Sequence, residues 1–262
     1  MGLKFISFAS GSSGNCSLVM SDNTAVLIDA GITVKRLTEE LAKLGLVPED
    51  LSGVLVTHEH SDHIQSIDKF SEFADVYTSD KTLKNILNRN KKLVKVGDVL
   101  NFMYGFDIGD LHINPFNISH DAVDPVGYSI TCENAKVSIS TDSGVVTKGM
   151  LDAIRDSNIL LLEANHDIDM LRKGTYPAWL KQRILGTRGH ICNDVSLNVA
   201  CNIKSTNGNL QQLILGHISK ENNTTDLAYN TVYNGLCKKD LLGDTNVSVA
   251  TQDCATQLFE IL

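Results

Sequence analysis

The feature that most constrains this 262-residue sequence is a run of four metal-ligand side chains within six positions. Residues 53–57 are apolar and β-branched, which predicts a strand, and His58, His60, Asp62 and His63 follow it directly. A His-x-His pair after a strand places two imidazoles on one side of the backbone. Imidazole nitrogens together with carboxylate oxygens are the ligands that a pair of divalent ions needs. The run therefore predicts a metal centre for hydrolysis at the end of a strand.

Two metal ions need more ligands than one loop can supply, and the sequence offers three further candidates. His120, Asp142 and His217 each come after a short apolar run that is typical of a strand. Loops that follow the strands of a layered sheet often carry functional groups. Because the pattern occurs three times, we expect these side chains to join the cluster at residues 58–63.

The apolar residues predict strands and helices that are mixed along the whole chain. Strands are predicted at residues 3–8, 17–20, 25–29, 53–57, 111–118, 126–131, 136–140, 159–163 and 212–215. Helices are predicted before Gly45 and at residues 64–74, 80–90, 145–156, 176–185, 193–203 and 224–238. This mixture indicates an α/β or α+β protein with layered sheets. With no repeat or long linker in the sequence, we expect a single domain over residues 1–262.

Composition favours a soluble protein of a reducing compartment. No apolar run reaches the roughly 20 residues that cross a bilayer, and the N-terminus lacks a signal-peptide pattern, so we expect a cytoplasmic location. The six cysteines are scattered without a Cys-x-x-Cys pair. They are expected to be reduced, and a cysteine zinc site is not expected.

The positive charge of the chain is segregated, although the formal net charge is −8. Residues 81–95 hold six basic residues and residues 171–188 hold five, and neither segment contains an acid. Two solvated helix faces would give this pattern, and so would a surface that binds a polyanion. The second segment also holds Tyr176 and Trp179, whose rings could stack on exposed bases, although Trp179 would also suit a core position.

The order of these motifs resembles the metallo-β-lactamase superfamily over nearly the whole chain. Five segments resemble more closely the YycJ/WalJ group, whose members are regarded as cytoplasmic exonucleases acting on DNA. These segments are Gly11–Asn15, Ser119–Tyr128, Thr141–Gly144, Glu163–Asp167 and Gly216–Asn223. The related ribonuclease Z enzymes share much of this arrangement. The resemblance implies a four-layer αβ/βα sandwich with the metals at the edge of the sheets.

The resemblance also implies two divalent metal ions. The implied ligands are His58, His60 and His120 for one ion, Asp62, His63 and His217 for the other, and Asp142 as the bridge. A hydroxide between the ions would be the nucleophile, so no serine or cysteine nucleophile is required. This ligand set suits Zn²⁺, and Mn²⁺ or Fe²⁺ are alternatives.

Three residues are implied to be catalytic. Asp62 would take part in catalysis as well as bind metal. Glu163 and His190 match a glutamate and a histidine that ribonuclease Z uses to protonate the leaving oxygen. A structural or helix-capping role would also explain His190. His166 and Asn193 are candidate substrate contacts, and His166 could instead support the site from behind.

The favoured function is a DNA exonuclease that acts on a single-stranded end. A small-molecule phosphodiesterase remains an alternative, as does a glyoxalase II-like thioester hydrolase, because the latter shares the His-x-His-x-Asp-His run. The two basic segments favour a polyanionic substrate over a thioester. A secreted β-lactamase is disfavoured by the N-terminus, and a non-catalytic metal-binding protein is disfavoured because all seven implied ligands are present.

Overall fold

The computed structural model describes residues 2–89, 91–97, 104–206 and 209–261, which form two sheets and flanking helices. The strands are β1 (Leu3–Ala9), β2 (Cys16–Met20), β3 (Ala25–Ile28), β4 (Gly53–Leu55), β5 (Val76–Tyr77), β6 (Phe106–Ile108), β7 (Leu111–Asn117), β8 (Val126–Cys132), β9 (Ala135–Ser140), β10 (Ile159–Glu163), β11 (Gln212–Gly216), β12 (Asn246–Val249) and β13 (Phe259–Ile261). The helices are α1 (Val34–Lys43), α2 (Ser61–Ile64), α3 (Ile67–Phe70), α4 (Asp80–Asn88), α5 (Lys148–Ile154), α6 (Ile168–Lys173), α7 (Ala178–Leu185), α8 (Asn193–Thr206) and α9 (Thr225–Lys238). A short 3₁₀ helix covers Pro48–Asp50.

The strand directions bring several carboxyl ends to one edge of each sheet. The first sheet has the order β13-β1-β2-β3-β4-β5, and β3, β4 and β5 run parallel. The second sheet has the order β12-β11-β10-β9-β8-β7-β6, and β9 to β12 run parallel. Since β8 is antiparallel to both neighbours, β7 points the same way as β9. The residues that follow β7, β9, β10 and β11 therefore emerge at the same edge.

The two sheets pack face to face and are covered by helices on their outer faces. Phe5 and Ile28 of the first sheet belong to one buried cluster with Tyr128 and Leu161 of the second. On the outer faces, buried residues of α1, α3 and α4 pack on the first sheet, and those of α5, α8 and α9 pack on the second. Burying one large apolar side chain stabilises the fold by roughly 1.5–3 kcal/mol. The order helix, sheet, sheet, helix confirms the predicted four-layer αβ/βα sandwich.

The prediction of one continuous helix over residues 64–74 is wrong. The chain forms two short helices there, and they are separated at Ser66. The backbone N–H of Ser66 donates to the carbonyl of Ala30 at 2.8 Å, and its hydroxyl donates to Ile32 at 2.5 Å. These tertiary hydrogen bonds compete with the helical ones and draw the chain out of the helix. The first turn therefore begins at Ser61, inside the ligand run itself.

Other predicted boundaries move for local reasons. α5 begins at Lys148 because the Thr147 hydroxyl accepts a hydrogen bond from the N–H of Met150, at 3.1 Å. α7 begins after Pro177, since the residue before a proline avoids the helical conformation. α4 covers most of the predicted helix 80–90, and residue 90 lies outside the described residues. Within the described part of the chain, no helix has the length and apolar composition of a membrane span.

Candidate metal centre

The predicted ligands come together at the edge where the strands of both sheets end. The run 58–63 leaves β4 of the first sheet, and its last two ligands lie in α2. His120, Asp142 and His217 follow β7, β9 and β11 of the second sheet. The strand directions place the loops of each sheet at one edge, and the packing of the two sheets brings these edges together, so the site spans both sheets.

The structure arranges the seven predicted ligands in three adjoining groups. Within each group, the potential ligand atoms lie within 4.8 Å of one another. The groups are His58, His60 and His120; His58, His63 and Asp142; and Asp62, His63 and His217. Because the middle group shares one member with each of the others, the seven side chains form one continuous cluster.

Asp142 lies at the centre of this cluster and is 3% exposed. Its Oδ1 is 3.3 Å from His217 Nε2 and 3.9 Å from His120 Nε2, and its Oδ2 is 3.5 Å from His63 Nε2. Burial raises the pKa of this carboxyl, but the surrounding histidines outweigh burial and hold the pKa well below its ordinary value. Asp142 is therefore an anion placed between two sets of imidazoles.

Unpaired polar atoms show that this cluster fits metal ions. His58 Nε2, Asp142 Oδ2 and His217 Nε2 are buried and have no hydrogen-bond partner among the described residues. Leaving such an atom unpaired costs about 1–3 kcal/mol each. Ligation of a cation would satisfy all three, and imidazole nitrogens with carboxylate oxygens form a suitable donor set for divalent ions.

Asp29 supports the site and was missed in the sequence. Its Oδ2 is 2.7 Å from His63 Nδ1, and its Oδ1 accepts a hydrogen bond from the Thr57 N–H at 2.8 Å. A proton on His63 Nδ1 leaves Nε2 free to bind a metal. Burial lowers the pKa of His63, but the carboxylates of Asp29 and Asp142 outweigh burial and raise the pKa to about 10. Asp29 ends the apolar run that predicts the strand 25–29, so an acid at the end of an apolar run is the signal that could have pointed to it.

Glu163 orients two histidines on the other side of Asp142. Its Oε1 is 2.7 Å from His190 Nδ1 and 3.2 Å from His217 Nδ1, and its Oε2 accepts a hydrogen bond from the Ser143 N–H at 2.9 Å. Glu163 is fully buried, and burial raises its pKa, but His190 and His217 lower it below the ordinary value overall. The predicted Glu163–His190 pair is thus present next to the ligand cluster.

The two predicted substrate contacts lie in the interior. His166 is 2% exposed, and burial lowers its pKa to about 4. Asn193 is also 2% exposed, and its side-chain amide exchanges two hydrogen bonds with that of Asn223, at 3.1 and 2.8 Å. The structure brings neither residue into the ligand groups, so their placement does not support contact with substrate.

Asn15 lies against the ligand run, although the sequence assigned it no role beyond its place in the segment Gly11–Asn15. Its Nδ2 is 2.9 Å from His63 Nε2 and 3.3 Å from Asp62 Oδ2, while its backbone N–H donates to the Asp62 carbonyl at 2.8 Å. Gly31 makes this approach possible, since a Cβ there would overlap the same carbonyl oxygen. The loop between β1 and β2 therefore fixes the start of α2.

Backbone strain is concentrated at this site. Asp29, Asp142 and His217 have φ values of 59°, 60° and 55°, and only Glu133 and Asp240 share this conformation among the other described non-glycine residues. A non-glycine residue in this region costs on the order of 1 kcal/mol. In each case the residue follows a strand and turns its side chain into the cluster.

The two basic segments flank the loop that carries His120. From the first segment, Lys81 Nζ lies 3.7 Å from Asp124 Oδ1. From the second, Arg183 Nε donates to Asp121 at 2.5 Å, and Arg188 donates to the carbonyl oxygens of His120 and Ala122 at 2.9 and 3.1 Å. Both segments thus contact the edge of the candidate site.

Much of the basic charge is engaged locally. Lys84 pairs with Asp80 at 2.5 Å, and Lys91 pairs with Asp68 at 2.9 Å. The charge available to a polyanion is therefore smaller than the sequence count. Trp179 on α7 is 66% exposed, so it is not a core residue and its ring is open to solvent.

Comparisons with known proteins agree with this architecture. Residues 24–201 match the family model described as the beta-lactamase superfamily domain. The chain is 37% identical over 269 residues to "Exodeoxyribonuclease WalJ" of Streptococcus pneumoniae serotype 2 strain D39, covering 100% of this chain and 99% of that protein. It is 40% identical over 243 residues to "Exodeoxyribonuclease YycJ" of Bacillus anthracis, covering 88% of each. The metallo-β-lactamase fold protein YhfI from Bacillus subtilis has a TM-score of 0.74 at 16% identity, with 100% of both chains covered.

Proposed function

Because this chain belongs to the metallo-β-lactamase superfamily, and within it to the WalJ/YycJ family, we propose that it is a DNA exonuclease acting on a single-stranded end. The chain is a metal-dependent hydrolase, and it is similar to proteins named exodeoxyribonucleases over nearly their whole length. The observation that carries the proposal is the contact between the ligand cluster and the Glu163–His190 pair. A phosphodiester in this site would meet both the metal ligands and a proton donor.

We propose that the seven clustered side chains hold two divalent ions, with Asp142 between them. Five imidazoles and two carboxylates suit Zn²⁺, and Mn²⁺ or Fe²⁺ are the alternatives. When bound, such ions supply positive charge that lowers the pKa of a water molecule and neutralises the phosphodiester oxygens. Asp62, whose Oδ2 lies 3.6 Å from His63 Nε2, would both bind metal and orient the attacking water.

His190 supplies the proton that the leaving oxygen needs. Its Nδ1 donates to Glu163, so the other ring nitrogen can carry a proton into the site. As water attacks the phosphorus and the bond to the leaving oxygen breaks, that proton passes to the oxygen. The hydrogen bond to Glu163 holds the ring in this orientation, and imidazoles in general are well suited to proton transfer near neutral pH.

Helix α7 provides a path for a single strand next to the site. Trp179 and Arg183 are four residues apart, so they lie on one face of the helix. Arg183 contacts Asp121 beside His120, and exposed Trp179 lies one turn further from it. An exposed aromatic ring beside a basic segment is an arrangement that binds single-stranded nucleic acid, because a base can stack on the ring.

The proposal is tested with end-labelled DNA and RNA, each single- and double-stranded, and with small phosphodiester and thioester reporters. We expect metal-loaded protein to shorten single-stranded DNA progressively from an end, and chelation to stop the reaction. The variant Asp142→Asn serves as the inactive control. Hydrolysis of the small diester or the thioester alone would replace the proposal with the corresponding alternative.

A further inference from the structure

Asp121 places an unpaired carboxylate oxygen beside two of the predicted ligands. Its Oδ1 lies 3.3 Å from His120 Nε2 and 3.9 Å from His60 Nε2. This oxygen is buried, although the side chain as a whole is 30% exposed. It has no hydrogen-bond partner among the residues that the structure describes. Asp121 Oδ1 is therefore a buried, unpaired polar atom like His58 Nε2 and His217 Nε2 of the ligand cluster.

The spacing of these atoms is that of donors around one ion. With metal–ligand bonds of about 2.0–2.2 Å, neighbouring donor atoms around one ion lie roughly 2.8–3.6 Å apart, the closer spacing belonging to the higher coordination numbers. Asp142 lies 3.3 Å from His217 and 3.5 Å from His63, which are separations of the same kind. The distance from Asp121 Oδ1 to His120 Nε2 lies within this range and the distance to His60 Nε2 is slightly longer, so a small movement lets the three atoms converge on one cation.

Arg183 holds the other oxygen of the same carboxylate. Its Nε donates to Asp121 Oδ2 at 2.5 Å, and Arg188 fixes the backbone on either side by donating to the carbonyl oxygens of His120 and Ala122. A carboxylate that binds a metal is commonly oriented by a hydrogen bond to its second oxygen. The arrangement leaves Oδ1 directed at the imidazoles of His60 and His120.

A metal-binding Asp121 would balance the negative charge of the ligands at the two ion positions. The ion held by His58, His60 and His120 would have three neutral ligands. Its only negatively charged ligand would be Asp142, which it shares with the other ion. The other ion would have Asp62 in addition to Asp142. A second carboxylate at the first ion would make the two positions equal in negative charge, and carboxylate oxygens are good ligands for Zn²⁺, Mn²⁺ and Fe²⁺ alike.

We propose that Asp121 is a further metal ligand, completing the position formed by His58, His60 and His120, and that Arg183 is its positioning residue. This inference rests on the proposed two-ion site, and it assigns the loop after His120 a role in holding metal.

The test compares Asp121→Asn with Asp124→Asn as the matched control. Asp124 lies in the same loop with a similar side-chain exposure of 28%, and it pairs with Lys81 outside the cluster. Metal content is measured by elemental analysis, and affinity by competition with a chelator, in folded protein checked by circular dichroism. We expect Asp121→Asn to lower the affinity for one of the two ions by at least about tenfold. We also expect it to change the visible spectrum of the Co²⁺-substituted protein. Asp124→Asn should match the wild type.

A third variant separates ligation from the ion pair. Arg183→Gln removes the partner of Asp121 and keeps the carboxylate, so we expect a smaller loss of metal affinity than in Asp121→Asn. Equal losses in the two variants, or unchanged affinity and Co²⁺ spectrum in Asp121→Asn, would overturn the inference. A wild-type protein that binds two ions and leaves DNA intact would instead overturn the proposed function, because these metal measurements do not depend on the substrate.

Discussion

At the scale of single residues, buried carboxylates orient the histidines of the site. Asp29 contacts His63, Glu163 contacts His190 and His217, and Asp142 lies among the rest. A histidine whose Nδ1 donates to a carboxylate has a fixed ring orientation and a free Nε2. Asp29 and Glu163 therefore decide which nitrogen these histidines present to the cluster, whereas Asp142 lies on the Nε2 side.

Asn in place of Asp29 tests this arrangement. We expect Asp29→Asn to lower metal affinity by about 10- to 100-fold, since an amide is a weaker acceptor for His63 Nδ1. Affinity is measured by chelator competition. The control is Asp107→Asn, because Asp107 pairs with His112 at 2.5 Å in a strand away from the cluster. Wild-type affinity in Asp29→Asn would show that His63 is oriented by other contacts.

His190 is tested by varying the leaving group. We expect His190→Ala to slow cleavage of DNA by about 10²- to 10⁴-fold, the usual contribution of a positioned acid. A nitrophenyl diester should be slowed much less, because nitrophenolate leaves without a proton. Rates for both substrates are compared at saturating metal. Equal slowing of the two would remove the assignment of His190 as general acid.

The contiguous ligands could be predicted from the sequence because the chemistry of that run is unusual. His120, Asp142 and His217 were found by a rule that combines a strand with a following polar residue, and the structure places all three in the cluster. Asn15 and Asp121 could not be found in this way. Their importance depends on contacts between loops that are distant in the sequence or on which way a side chain turns.

At the scale of elements, strands in continuous apolar runs were predicted well, and short strands without such a run were missed. The nine strands predicted from the sequence all have counterparts, whereas β5, β6, β12 and β13 span two to four residues and carry too little pattern to detect. The six-residue helix α6 was also missed, although Asp167 caps it by accepting from the N–H of Met170 at 2.8 Å. Tertiary hydrogen bonds at Ser66 divided a helix that local propensity favoured.

Helix α7 carries the prediction that belongs to this scale. We expect Trp179→Ala to weaken binding of single-stranded DNA by roughly 1–3 kcal/mol, the usual contribution of one stacked base. Binding is measured by fluorescence anisotropy with an inactive variant and at fixed salt. Tyr104→Ala is the control, since Tyr104 is 74% exposed and lies just before β6. If both variants bind like the parent protein, α7 is not the path of the strand.

At the scale of the whole molecule, the ligand cluster connects the two sheets. The run at 58–63 belongs to the first sheet, and His120, Asp142 and His217 belong to the second. Any ion bound there therefore links the two halves of the sandwich. The mixture of helices and strands predicted layered sheets, and the resemblance implied the four layers, whereas the exact strand pairing needed the structure.

Metal removal tests that link. A ligand such as a metal ion that binds only the folded state stabilises that state by about 2.7 kcal/mol when its free concentration is 100 times its Kd. We therefore expect chelation to lower the Tm in calorimetry and metal to restore it. The variant His63→Ala should show a smaller metal-dependent increase. A Tm that is independent of metal in the wild type would mean that the sheets hold together equally well without the ions.

The pairing of β1 with β13 has a consequence for folding. Leu3 pairs with Ile261 and Phe5 with Phe259, so this pairing joins residues that lie more than 250 positions apart in the sequence. Closing so long a loop costs entropy before the strand pairing is rewarded, so we expect β1 and β13 to pair late in folding. Until they pair, one edge of β1 is open, and an open apolar edge is a template for pairing with another chain.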